Sequence, residues 1–172
     1  MSGELRIRSL VECPEHAPLL AEWFRGEWDQ HFRNWNAQRI IGEFFTPARA
    51  SAGLPVVLIA DIDGKPCGTV MLRAQWRESH AHLGPWLGGL FVLPEYRSRA
   101  IARKLIETLA AEAGKRGYTE VYAGTKNLGR FLRTLGWQFQ EMIGSDKESI
   151  GLFRWRPPSP GGDLNPQKRS TQ

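Results

Sequence analysis

The stretch of sequence that decides the fold is Val92-Leu93-Pro94-Glu95-Tyr96-Arg97-Ser98-Arg99-Ala100-Ile101-Ala102. An apolar run precedes it, and Pro94 cannot donate a ladder hydrogen bond, so a strand is expected to stop here. Ile101 then begins an apolar stripe at helical spacing that continues through Leu105 and Leu109. The stretch therefore predicts a strand end that feeds directly into a helix.

Positive charge is concentrated around the start of this helix, in Arg97, Arg99, Arg103 and Lys104. A helix N-terminus carries the positive end of the macrodipole, so cations there are normally destabilising. A bound polyanion would offset the repulsion, and the free backbone N–H groups of the first turn would help to hold it. A pyrophosphate fits this need. The alternative is that the cations only solvate an exposed turn.

Periodicity along the rest of the chain predicts a mixed α/β fold. The expected strands are residues 5–10, 55–60, 68–72, 86–93, 120–123, 137–143 and 150–155, and the expected helices are residues 14–32, 37–45, 101–116 and 128–135. This order combines hairpins with two strand–helix–strand crossovers. We therefore expect a mixed, mostly antiparallel sheet of six to seven strands flanked by about four helices.

Residues 92–102 resemble motif A of the GNAT (GCN-related) superfamily of N-acetyltransferases, which reads Q/R-x-x-G-x-G/A after a strand and a Pro-Glu/Asp-Tyr turn. Arg97 matches the first position and Ala102 the last, whereas Ala100 replaces the customary glycine. Residues 131–137 are similar to the family segment F-Y-x-x-L-G-F/W. The expected order of elements agrees with this family over residues 5–155.

The resemblance implies an acetyl-CoA-dependent enzyme that moves an acetyl group to a primary amine of an unidentified acceptor, without a metal. It assigns the backbone of Phe91 and Val92 to the pantetheine arm of the co-substrate, and Asn127 and Phe131 to contacts near its thiol. The pyrophosphate is assigned to Arg97, Ser98, Arg99, Ala100, Ile101 and Ala102. We expect Ala100 to be tolerated with a helical φ, at the cost of weaker affinity or a slightly shifted turn.

Leu132 stands where the family often has a tyrosine that protonates the departing thiolate. Leucine cannot donate a proton, so another group or water must serve, or activity is low or lost. A leucine in this helix is equally typical of core packing. The alternative function is therefore an acyl-CoA-binding regulatory module, or a catalytically weakened one, of the same fold.

Transfer to an amine also requires a group that accepts a proton. The candidate catalytic residues are Glu78, His80 and His82, in a polar loop before the fourth strand, because histidine titrates near neutral pH. The same loop is typical of a simple exposed hairpin connection.

Aromatic residues near residue 30 are candidates for an acceptor pocket. Trp28, His31 and Trp35 could together hold a cation or a planar amine. Ordinary helix packing of aromatic residues explains the same pattern.

Composition restricts the remaining function classes. A chain of 172 residues with 41% hydrophobic and 24% charged residues is typical of one globular domain, expected at residues 1–156, with a flexible Pro/Gly-rich tail at 157–172. A net charge of +5 without interleaved basic and aromatic residues argues against nucleic-acid binding. No apolar run approaches the length of a membrane span, so no membrane partner is expected.

The two cysteines, Cys13 and Cys67, form no C-x-x-C pair and are expected to be small buried residues in a reducing, cytoplasmic protein. No P-loop pattern occurs, and no G-x-G-x-x-G follows the first strand, which argues against a nucleotidase or dinucleotide fold. The expected partners are acetyl-CoA and an amine acceptor. The resemblance also allows a homodimer, because dimers are common in this family.

Overall fold

A seven-stranded sheet organises the structure, a computed structural model that describes residues 3–46 and 53–157. Its strands are β1 (Leu5–Ser9), β2 (Val56–Ile62), β3 (Lys65–Arg73), β4 (Trp86–Val92), β5 (Val121–Thr125), β6 (Gln138–Ile143) and β7 (Ile150–Trp155). They lie in the order β1-β2-β3-β4-β5-β7-β6, and only β4 and β5 are parallel. The expected mixed, mostly antiparallel sheet is confirmed.

Five α-helices flank the sheet in the described residues. They are α1 (Ala17–Glu27), α2 (Asp29–Phe32), α3 (Ala37–Ile40), α4 (Ile101–Lys115) and α5 (Gly129–Thr134). The helix expected at residues 14–32 is divided because Trp28, with φ −116° and ψ 46°, leaves the helical conformation between α1 and α2. The helix expected at residues 37–45 is α3 followed by a π-helix, Ile41–Phe45.

The two faces of the sheet bury separate cores. On one face, α4 packs over β2, β3 and β4 while α5 packs over β6 and β7, and together they bury Leu105, Leu109 and Leu132. On the other face, α1–α3 and the π-helix pack against Ile59 and Met71. The amphipathic stripe of α4 explains its position, because six apolar residues of this helix are buried while its other side faces solvent.

Several residues that the sequence marked as chemically interesting are core residues. Leu132 is only 2% exposed. Cys13 and Cys67 are fully buried, and burial raises the pKa of both thiols, that of Cys67 to about 11. Their thiols donate to the carbonyl oxygens of Ser9 and Ala60. Thiols with raised pKa values in these positions act as small apolar residues rather than as nucleophiles.

Some expectations concern residues that the structure does not describe. The tail expected at residues 157–172 lies, apart from Pro157, outside the described residues, and the domain boundaries stay a prediction. Within the described part of the chain, no helix is both long enough and apolar enough to span a bilayer.

Glu120, just before β5, connects the start of this strand to the segment that follows β7. Its carboxylate accepts a hydrogen bond from the Tyr122 hydroxyl and from Nε and Nη2 of Arg156, at 2.9 and 2.7 Å. The Arg154 guanidinium lies 3.6 Å away. The hydrogen bond from Tyr122 and then that from Arg156 lower the pKa of Glu120 below its ordinary value.

A lowered carboxyl pKa makes stability depend on pH in a definite direction. The contribution of Glu120 is fully present above its unfolded-state pKa and is lost as the pH falls through its folded-state pKa. Glu120→Gln should therefore lower the free energy of unfolding by about 1 kcal/mol at pH 7 and by much less at pH 3. Urea titrations at the two pH values measure this, with the exposed Glu95→Gln as control. An equal loss of unfolding free energy at both pH values would contradict the role of the Glu120 charge.

Candidate functional site

A cleft opens where β4 and β5 part. The two strands are paired only at Trp86 with Tyr122 and at Leu87 with Ala123. Beyond Leu87, β4 continues to Val92 with no partner on β5, so one backbone edge of β4 faces open space. An unpaired strand edge can accept another extended chain through main-chain hydrogen bonds.

A β-bulge at Gly89 produces this separation. Thr69 is paired with Phe91 but Met71 with Gly88, so β4 has one more residue than β3 in this interval. Gly89 has a φ of +59°, and a Cβ there would lie 2.6 Å from Cζ of Phe24. Such a bulge bends a strand and increases its twist, which turns the second half of β4 away from β5.

The cleft has a volume of about 570 Å³. One wall is the end of β4 and the turn after it, and the opposite wall is the end of β5 and the start of α5. Its lining includes nine of the ten residues that the sequence assigns to the co-substrate: Phe91, Val92, Arg97, Ser98, Ala100, Ile101, Ala102, Asn127 and Phe131. Residues that are up to 40 positions apart in the sequence thus share one cavity.

The turn between β4 and α4 is held by Arg97. A short 3₁₀ turn, Pro94–Tyr96, follows the strand, and Arg97 Nε donates to the carbonyl oxygen of Val92 at 2.9 Å. This bond folds the turn back on the end of β4. The first turn of α4 has no side-chain cap, so its backbone N–H groups are available at the cleft wall for an anion.

Ala100 differs from the sequence-based expectation. The expected helical φ is wrong, because Ala100 has φ 59° and ψ 16°, in the left-handed region. Ser98 also has a positive φ, of 62°. The turn needs a glycine-like conformation here, which explains the glycine of motif A, and an alanine in it is strained by about 1–2 kcal/mol. Strained backbone of this kind tends to occur at functional sites.

Charge at the cleft is mainly positive. Arg97, Arg103 and Lys126 line it, and Arg103 is also ion-paired with Glu107 at 3.5 Å. Arg99 does not line the cleft; its guanidinium lies over the Tyr96 ring at 5.4 Å from the centroid. The cations on the α4 side therefore face a cation from the β5 side across the opening, as a bound polyanion requires.

The structure places only one of the three candidate acceptor-binding residues at the cleft. Trp28 lines the cleft, whereas His31 and Trp35 do not. His31 and Trp35 both pack against the Phe32 ring in the helical layer. Ordinary aromatic packing therefore accounts for these two side chains.

The catalytic candidates lie away from the cleft lining. Glu78 and His80 form a 3₁₀ turn, and the rings of His80 and His82 are stacked at 6.1 Å. His80 also shares a hydrogen bond with the Ser79 hydroxyl. The three residues stay predictions as catalytic groups, and their positions favour the exposed-loop alternative.

Glu27 is a cleft residue that the sequence analysis missed. It is the last residue of α1 and lines the cleft beside Trp28. Lys126 and Thr125 were also missed; the Thr125 hydroxyl accepts from the backbone N–H groups of Asn127 and Leu128. No local pattern marks Glu27, since only the packing of α1 against β4 brings it to the opening.

The sequence and the fold both match known acetyltransferases. Residues 17–137 match the profile of the acetyltransferase (GNAT) family. A comparison with curated protein sequences finds no match.

Solved structures resemble the whole fold. An aminoglycoside 6'-N-acetyltransferase complexed with coenzyme A has a TM-score of 0.73 at 16% identity, over 90% of this chain and 99% of that one. The aminoglycoside 6'-N-acetyltransferase from Enterococcus faecium has a TM-score of 0.71 at 16% identity, over 90% and 99%. The yncA protein of Salmonella typhimurium with its cofactor acetyl-CoA has a TM-score of 0.68 at 16% identity, over 89% and 94%.

Proposed function

This chain belongs to the acetyltransferase (GNAT) family, and we propose that it binds acetyl-CoA in the cleft between β4 and β5 and transfers the acetyl group to a primary amine. The proposal rests on one observation. A single cavity contains an open strand edge and an uncapped helix N-terminus that is surrounded by cations. Two of the similar solved structures contain coenzyme A or acetyl-CoA, which supports the choice of co-substrate.

Each part of acetyl-CoA has a chemical counterpart in the cleft. The free edge of β4 at Phe91 and Val92 can pair with the amide groups of pantetheine as an added strand would. The first turn of α4, with Arg97 and Arg103, can hold the pyrophosphate. The thioester end then lies deeper in the cleft, toward the point where β4 and β5 part.

Acetyl transfer forms a C–N bond at the thioester carbonyl and breaks the C–S bond, while the attacking nitrogen loses a proton. Glu27 is the carboxylate of the cleft wall, and we assign to it the attraction of the ammonium form and the acceptance of this proton, directly or through water. Leu132 is buried among core residues and donates nothing, so the departing thiolate takes its proton from another group of the cleft or from water.

Removal of the Glu27 charge should affect turnover more than co-substrate binding. We expect Glu27→Gln to lower kcat/KM for the amine roughly tenfold, since water can partly replace an exposed base, and to leave the Kd of acetyl-CoA unchanged. Glu22→Gln, on the same helix and paired with Arg25, is the matched control. Unchanged kcat/KM in Glu27→Gln would remove Glu27 from the mechanism.

The proposed activity is tested by thiol release from acetyl-CoA with a panel of primary amines. The panel includes an aminoglycoside, because two of the similar structures are aminoglycoside 6'-N-acetyltransferases, together with polyamines, lysine derivatives and peptides with a free N-terminus. Thiol release with at least one amine supports the proposal. Thermal stabilisation by acetyl-CoA without thiol release from any amine would favour the alternative, a regulatory or catalytically weakened module of the same fold.

A further inference from the structure

A second cavity lies beside the end of β3, on the face covered by α1–α3. It has a volume of about 360 Å³, within the range of small-molecule sites. Its walls are the π-helix, the chain before β2 and the end of β3, and the residues used below are Glu43, Phe44, Met71 and Arg73. We call it the Arg73 cavity. π-helices are rare and occur frequently at functional sites.

Arg73 is a partly buried cation that has no anionic partner among the described residues. No carboxylate of the described residues lies within ion-pair distance of its guanidinium. Residues 47–52, which are outside the described part, contain no Asp or Glu. Burial lowers the pKa of Arg73, whose side chain is partly withdrawn from solvent. A bound anion would stabilise such a cation, because partial desolvation strengthens the attraction between opposite charges.

The geometry of Arg73 leaves its hydrogen-bonding edge free. The guanidinium carbon lies 5.0 Å from the centroid of the Phe44 ring. Stacking on an aromatic ring uses the flat face of a guanidinium, whereas the N–H groups point outward in the plane and match a carboxylate with two parallel hydrogen bonds. Phe44 thus holds Arg73 in position without satisfying its donors.

The Arg73 cavity lies close to the proposed reaction site. Arg73 crosses β4 at Gly88, where a Cβ would lie 3.7 Å from Arg73 Cδ. Phe91, three residues further along β4 and in contact with the Trp23 ring on the α1 side, lines the cleft, and this interval corresponds to about 10 Å of strand. A molecule with an amine at one end and an anionic group several bonds away can therefore reach both places.

We propose that the Arg73 cavity binds a carboxylate of the acceptor, so that the acetylated amine belongs to a small molecule with a carboxylate at its other end. This inference rests on the proposed acetyl transfer and specifies its substrate class. Glu43 also lines the cavity and repels anions in proportion to their charge, so a singly charged carboxylate is disfavoured less than a doubly charged phosphate. A polycationic amine lacks the group that Arg73 requires.

Two probes with the same amine and chain length test the inference directly: 6-aminohexanoate, which has a carboxylate, and hexylamine, which has none. We expect the backbone amide signals of residues 42–46 and 71–75 to shift on titration with 6-aminohexanoate, with an affinity roughly tenfold higher than for hexylamine. The preference should disappear in Arg73→Met and partly return in Arg73→Lys. Arg77→Met, in the same connection but outside the cavity, should behave as the wild type.

Two results would overturn the inference. One is equal affinity for both probes in the wild type, or a preference that survives in Arg73→Met. The other is an equal loss of the preference in Arg77→Met, which would show that the preference does not depend on the Arg73 cavity. The titrations need no acetyl-CoA. A failure of the proposed acetyl transfer is therefore recognised separately, by the absence of acetyl-CoA binding.

Discussion

Gly89→Ala should destabilise the protein by about 3 kcal/mol, the sum of the strain of a left-handed alanine and the displacement of a packed ring. The φ of +59° is unfavourable for any side chain, and the new Cβ would lie 2.6 Å from Cζ of Phe24, in the core under α1. For a domain of this size the melting temperature should fall by about 6–12 °C. Because the bulge also separates β4 from β5, the affinity of this variant for acetyl-CoA should fall as well. Thermal unfolding and calorimetric titration measure the two effects.

Gly88→Ala is the matched control for this change. A Cβ at Gly88 meets only Arg73 Cδ at 3.7 Å, an ordinary van der Waals distance, and its φ is not in the left-handed region. The same substitution one residue earlier should therefore leave stability nearly unchanged. If both variants lost stability equally, the special role of the bulge would be refuted.

Ala102→Glu should weaken acetyl-CoA binding by at least about 100-fold. Ala102 is the second residue of α4 and lines the cleft where the pyrophosphate is proposed to lie. A carboxylate about 5 Å from a phosphate charge costs roughly 3 kcal/mol at an effective dielectric constant of 20. The free protein should remain folded, because an acidic residue in the first turn of a helix is favourable. Calorimetric titration of the purified variant with acetyl-CoA measures the loss.

An alanine-to-glutamate substitution elsewhere on α4 tests whether the loss of acetyl-CoA affinity depends on the position of the added charge. Ala111 is exposed on this helix and does not line the cleft, so Ala111→Glu should bind acetyl-CoA as the wild type does. An acetyl-CoA Kd for Ala102→Glu within about threefold of the wild-type value would show that the pyrophosphate does not contact the first turn of α4.

Local signals in the sequence predicted the elements well. Three signals depend only on neighbouring residues: the apolar stripe of α4, the stop at Pro94 and the alternation in β6. The structure confirms the helix, the strand end and the strand that they predict. Motif A likewise singled out residues of the β4–α4 turn that line one cleft, since they are contiguous in the chain. Periodicity could not indicate the break at Trp28 or the π-helix, because both keep the apolar residues on the buried side.

The parts that escaped prediction depend on contacts between distant segments. Glu27 reaches the cleft only because α1 packs over the bulge at Gly89, and Arg73 meets Phe44 only because the π-helix packs beside the end of β3. Ala100 was expected to be helical, since the sequence shows that a glycine is replaced but not that the turn retains a left-handed φ. The cytoplasmic location and the homodimer stay predictions.

The central claim is that acetyl-CoA occupies the cleft between β4 and β5. It is tested most directly by following the backbone amide signals of the isotopically labelled protein during titration with acetyl-CoA. We expect saturable shifts concentrated at Leu90, Phe91 and Val92 on β4 and at Ile101, Ala102 and Arg103 in the first turn of α4. Absence of saturable binding, or shifts confined to residues outside the cleft, would contradict it.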